Sequence, residues 1–158
     1  MSAVFKKLNW KDQAEILILN APASFEPKLA ALTGVTIRRS LAKMAQVTFS
    51  IAFVTRQSEA NALAEEIAAK TIGDAVVWFA YPKSSSKRYQ CEFNRDTGWA
   101  VLGALGFEAV RQVAIDEDWS ALRFRRAKFI KSMTRDSKMA MSDLGEQKLA
   151  DAEAKGNE

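Results

Sequence analysis

Lys83, Ser84 and Lys87 stand in the stretch VVWFAYPKSSSKRYQ, where a solid apolar run passes straight into serines and cations. Ammonium groups beside hydroxyls and free backbone amides are the donors that hold an oxyanion. Arg56 directly follows Thr55 at the end of a second apolar run, QVTFSIAFVT, and Asn20 closes a third, AEILILN. If these runs are parallel strands of one sheet, their carboxyl ends share a rim, which is where open α/β sheets place ligands. Asn20, Thr55, Arg56, Tyr81, Lys83, Ser84 and Lys87 are therefore expected to gather into an anion pocket. The loop lacks the glycine-lysine-serine pattern of a phosphate-binding loop, so a plain solvated turn is the competing reading.

Other chemistries are narrowed by what the chain lacks. It contains no histidine, which removes histidine-based nucleophile pairs, histidine-ligated metals and the commonest general base. Cys91 would be a nucleophile only if a neighbouring cation, Lys87 or Arg88, lowered its pKa; otherwise it is a half-buried structural thiol. Asp116, Glu117 and Asp118 are adjacent in a turn and point apart, whereas a hard cation needs converging oxygens, so no metal site is expected. Asp116 and Asp118 are expected to bond backbone amides of that turn. Trp78, Trp99 and Trp119 fall mid-strand, at a helix start and at a strand start, where large aromatics pack rather than stack on bases.

The elements that must carry these residues are legible. Ala14–Pro22 is apolar at successive positions, as suits a strand covered on both faces. Ser24 is placed to cap a short helix over 25–32, and Gly34 to close it. VTIRRSL reads as a more polar strand near a sheet edge, and Gln46–Thr55 as the third strand. Ser58 is expected to cap a helix over 59–70, with Gly73 and Asp74 turning into the strand AVVWFAYP. Asp96 or Thr97 is expected to cap GWAVLGALGF, which Gly106 ends. EAVRQVAID and WSALRFRR, separated by the acidic turn, form a hairpin and hence an antiparallel pair. The connection over 42–45 is too short for a crossover helix. The second and third strands are therefore not parallel neighbours, or an intervening helix and strand are missing.

The result is an α/β fold: a trimmed Rossmann-like three-layer sandwich, mostly parallel, ending in an antiparallel β-hairpin. One domain is expected over 1–131, with a polar, acidic, mobile or loosely docked tail over 132–158. A formal charge of +4 conceals a basic stretch over 123–138 and the acidic tail. Alternation in LRFRR sets Arg123 and Arg125 on a solvated stripe opposite Leu122 and Phe124. A short basic helix is expected from AKFIKSMTR. A lone cysteine, no apolar run near the roughly 18 residues that cross a bilayer, and no leader-like N-terminus point to a cytoplasmic protein.

The pieces LILNAP, FVT, VVWFAYPK, GWAVLGALGF and VRQVAIDEDWSALRFRR resemble a small bacterial family of unknown function with a short Rossmann-like core. That resemblance runs from about Leu8 to Lys131 and implies fold, without an activity. The terminal hairpin also resembles the last two strands of Rossmann-like methyltransferases. Dinucleotide and S-adenosylmethionine sites use glycines after the first strand and an acid near the end of the second. Here the first loop is NAPASF and the second strand ends in Arg38 and Arg39. The leading expectation is thus a non-enzymatic module, with no cofactor, that binds a small anionic ligand or a protein partner at the rim. The alternative is a degenerate S-adenosylmethionine-dependent methyltransferase-like enzyme using Asn20, Tyr81 or Asp116. A third reading is weak nucleic-acid binding through 123–138, whose Arg123–Arg125 stripe carries no interleaved aromatic and which shows no recognised motif.

Overall fold

The computed structural model describes residues 3–94 and 96–130. A six-stranded sheet runs through the middle in the order β2-β1-β3-β4-β6-β5. Its strands are β1 (Glu15–Leu19), β2 (Thr36–Arg38), β3 (Val47–Phe53), β4 (Thr71–Pro82), β5 (Phe107–Ala114) and β6 (Trp119–Arg126). The first four are parallel to one another, and β6 enters antiparallel between β4 and β5. Helices α1 (Ala3–Lys7) and α2 (Glu26–Ala30) lie with one face of the sheet, α3 (Gln57–Lys70) and α4 (Ala100–Ala104) with the other. This is the expected mostly parallel sandwich with a closing hairpin.

Each face has its own apolar core. On the first, Phe5, Leu8, Phe25 and Leu29 cover Ile16, Ile18, Phe49, Trp78 and Trp119. On the second, Ala60, Ala64, Ile67, Trp99 and Leu102 cover Leu17, Ala52, Val77, Phe79, Leu122 and Phe124. Burial on both sides is why β1, β3 and β4 read as unbroken apolar runs instead of alternating. The three tryptophans singled out in the sequence all pack, each no more than 5% exposed.

The second and third strands are not neighbours: β2 and β3 flank β1 on opposite sides. The chain passes from one to the other through a single 3-10 turn, Leu41–Lys43, capped by the Ser40 hydroxyl. The ammonium of Lys70, at the end of α3, holds this crossing by donating to the carbonyls of Leu41 and of Met44, the latter at 2.8 Å.

Several local expectations are corrected. Ser24 sits inside a 3-10 turn, Ala23–Phe25, and donates to Asp116 instead of capping a helix. Helix α3 starts at Gln57, so Ser58 lies within it, and the Gln57 amide donates to the Glu92 carboxylate instead. Gly73, at φ +57°, falls inside β4 where the pairing with β3 shifts register, so the strand starts directly after α3. Asn94, not Asp96 or Thr97, organises the turn before α4, its side-chain oxygen accepting from the amides of both. Asp118 accepts from the Ser86 hydroxyl, while Asp116 accepts from the amides of Asp118 and Trp119 as expected. Phe129 belongs to a 3-10 turn, Ala127–Phe129. The tail over 132–158 and most of the expected basic helix lie outside the described residues.

One feature of the hairpin escaped the sequence. The pairing of β5 with β6 shifts between Ala109 and Arg111, leaving Val110 as the extra residue of a bulge. A bulge flips the facing of everything beyond it. Gln112 consequently joins the second face beside Tyr81, and Arg111 joins the first face opposite Arg123.

Candidate functional site

The parallel strands all finish on one side, so Asn20, Thr55 and Lys83, just past the ends of β1, β3 and β4, do share a rim. What the rim gathers differs from the expected pocket. A cavity of about 830 Å³ opens beyond β4, bounded by the loop 83–94 and by Gln112 and Ser120 of the hairpin. Tyr81, Lys83 and Ser84 line it; Asn20, Thr55, Arg56 and Lys87 do not.

The cavity is framed by an aromatic cluster. The rings of Tyr81, Phe93 and Trp99 pack with centroid separations of 4.9 to 6.3 Å. The Tyr81 hydroxyl accepts from the Gln112 side-chain amide at 2.8 Å. Gln112 and Ser120 come from the hairpin, and only the bulge makes Gln112 available, which is why no local pattern marks it. The lysine-serine loop is pinned, not free: the Lys83 amide donates to the Asp118 carbonyl at 2.7 Å and the Ser86 hydroxyl to the Asp118 carboxylate at 2.9 Å. Ser86 in turn accepts from the amides of Arg88 and Tyr89. Ser84, Lys87 and Arg88 remain exposed.

Cys91 also lines the cavity. Burial pushes its thiol above the ordinary range, with a smaller opposing effect from the Phe93 backbone. A raised pKa means less thiolate at neutral pH and so a poorer nucleophile. Alkylation with iodoacetamide at pH 7 should be slower than that of free cysteine, with its pH midpoint displaced upward. A rate above that of free cysteine would contradict this environment.

The neighbouring crevice, between the ends of β1 and β3, is where the chain reverses its strand order, the usual ligand position of such sheets. On its β3 side, carboxylates of the chain itself tie down the segment that leads into α3. Glu59 accepts from the Thr55 amide at 3.1 Å, Glu92 accepts from the Gln57 amide at 2.8 Å, and the Glu92 amide donates to the Thr55 carbonyl. The Glu92 carboxylate takes the first amide of α3, where helix polarity favours negative charge, and Glu59 takes the amide of Thr55 just ahead of the helix. Asn20 holds a left-handed turn at φ +59°, a conformation asparagine tolerates better than most residues. At the end of β2, Arg39 is locked to Glu26 by two bonds of 2.7 and 2.9 Å, and Arg38 pairs with Glu15 at 2.8 Å. The Arg39 bond holds the Glu26 carboxyl below its usual range. Stability from that pair is present above the unfolded carboxyl pKa and disappears as pH falls through the folded one. Both partners are about half exposed, so the effect is small.

By sequence, neither a family model nor a curated protein matches the chain. By structure it is similar to a SAM-dependent methyltransferase from Aquifex aeolicus, with a TM-score of 0.58 and 13% identity, over 78% of this chain and 87% of that one. It is also similar to the pyocyanin biosynthetic protein PhzM (TM-score 0.54, 11% identity, 78% of this chain and 53% of that one). TrmN from Thermus thermophilus matches with a TM-score of 0.50 and 10% identity, over 78% and 47%. The chain thus spans about half the length of the last two. The sheet is of the methyltransferase-like Rossmann type, as the hairpin resemblance implied.

This overturns the leading functional expectation. A non-enzymatic anion or partner module rests on the basic rim and the missing catalytic residues, whereas the sheet is one shared with the methyltransferase from Aquifex aeolicus. The customary cofactor pose, however, does not fit these residues. The loop NAPASF directly after β1 has no glycine, the acid expected after β2 is replaced by an ion-paired arginine, and the first amide of α3 already donates to Glu92.

Among the described residues no helix is long and apolar enough to cross a membrane.

Proposed function

We propose that the chain is a degenerate S-adenosylmethionine-dependent methyltransferase-like enzyme whose ligands are displaced from the customary crevice to the cavity beyond β4. The observation that carries this reading is the sheet order, with antiparallel β6 inserted between β4 and β5. Support for the displacement comes from the glycine-free loop after β1 and the ion-paired Arg39 at the end of β2, set against an 830 Å³ cavity beyond β4. The wall combines aromatic rings with the polar ends of Tyr81, Gln112, Ser120 and Lys83, the mixture that small-molecule pockets use. Tyr81 and Gln112 position a ligand's polar atoms at the β4 end. The rings of Tyr81 and Phe93 keep water from the floor.

Melting of the full chain with S-adenosylmethionine and S-adenosylhomocysteine tests the reading. At a hundred times the dissociation constant a ligand adds about 2.7 kcal/mol to stability, a shift of several degrees. Gln112→Ala should weaken binding about tenfold, the worth of one good hydrogen bond, whereas Arg39→Ala should leave it unchanged. No shift with either compound would overturn the proposal.

A further inference from the structure

Arg123 was expected on a solvated stripe. Instead it is half buried, and its Nε is enclosed without a hydrogen-bond partner. The bulge in β5 places Arg111 directly opposite it in the register. Like charges facing each other across an antiparallel pair repel. Burial most of all, then Arg125, pushes the Arg123 guanidinium below its ordinary pKa; Asp74 pulls the other way, and Arg111 adds the smallest downward push. Asp74 is itself engaged by Arg125, with bonds of 2.6 to 3.0 Å, and Glu108 stands opposite Arg125. Among the described residues, no acid is a register partner of Arg111 or Arg123. The surroundings are apolar: Ala121 precedes Arg123 on the same face, Val113 faces Ala121, and Trp78 is its partner on β4.

We propose that Arg111 and Arg123, flanked by Arg125, form a binding site for a tetrahedral oxyanion of the phosphate class on the first face of the hairpin. Two guanidinium forks carried on one face of adjacent strands can match the paired oxygens of phosphate. A bound anion would supply the enclosed Nε with an acceptor and relieve the repulsion between strands. An apolar floor strengthens that attraction by excluding water. The site lies on the opposite face of the sheet from the cavity beyond β4, so its success or failure is independent of the methyltransferase-like reading.

The test is melting of the full chain in a concentration series of inorganic phosphate, against sodium chloride at matched ionic strength. Phosphate should raise the melting temperature saturably by several degrees beyond chloride. Arg123→Met should abolish that increment without lowering the phosphate-free melting temperature, because a poorly paired buried charge is removed. Arg111→Met, at an exposed position, should weaken the phosphate effect at least tenfold and guards against misfolding of the first variant. Lys83→Ala with Lys87→Ala should leave the effect intact. An equal phosphate increment in wild type and both arginine variants, none beyond chloride, or its loss in the lysine variant would each overturn the site.

Discussion

Gly98→Ala should destabilise the protein by about 3 kcal/mol or more, the sum of left-handed strain of roughly 1–3 kcal/mol and overpacking of similar size. Gly98 sits at φ +95°, where an L side chain is strained whatever the space. Space is lacking too. A Cβ there would lie 2.6 Å from the Cβ of Phe93, 2.7 Å from Oε1 of Gln57 and 2.9 Å from Cγ of Phe93. Neither neighbour can yield cheaply. Phe93 is 4.9 Å, centroid to centroid, from Trp99, and Gln57 donates to both the Gly98 carbonyl and Asn61. Because Phe93 also frames the cavity, the variant should lose ligand binding along with stability. Urea unfolding reads the first and ligand-dependent melting the second. Gly34→Ala is the control: φ is +71° but nothing lies within 4 Å of the added atom, so only the strain of about 1 kcal/mol should appear. Equal costs at the two positions would show that the aromatic wall is not packed as described.

Trp78→Ala should cost about 3 to 5 kcal/mol, the range for truncating a large aromatic in a core. The side chain is fully buried on β4, and its Nε1 donates to the Leu8 carbonyl at 2.7 Å. That bond ties the segment after α1 to the middle of the sheet, across 70 positions of sequence. Trp78→Phe keeps most of the ring volume but leaves the buried carbonyl without this donor, a loss of roughly 1–3 kcal/mol. Chemical denaturation should therefore rank wild type, Trp78→Phe and Trp78→Ala in that order. Were Phe as stable as Trp, the indole bond would contribute nothing.

The architecture was legible because it depends on periodicity. Unbroken apolar runs mark β1, β3 and β4 as strands covered twice, and the hairpin is marked by its acidic turn. Which residues cap and line was far less legible, because those contacts join distant segments. Glu92 caps α3 from 35 positions away, a pairing that no local pattern around Ser58 could disclose. The single inserted residue at Val110 reverses the facing of Arg111 and Gln112, and an alternation rule applied to EAVRQVA without it assigns both to the wrong face. Lys83 and Ser84 were placed correctly by the strand-end rule. Asn20 and Thr55 obey the same rule, yet the cavity opens one strand further along. The leading functional expectation failed for a related reason: missing catalytic residue types speak to particular mechanisms, whereas sheet order speaks to the fold.

The proposed displaced site is tested most directly by where S-adenosylmethionine docks. Amide chemical-shift mapping of the full isotope-labelled chain, titrated with S-adenosylmethionine, decides it. Perturbations should concentrate at Tyr81, Lys83, Cys91, Phe93, Gln112 and Ser120, with Asn20, Ala21, Arg38 and Arg39 little changed. Shifts confined to that second group, or none at saturation, would contradict the displaced site.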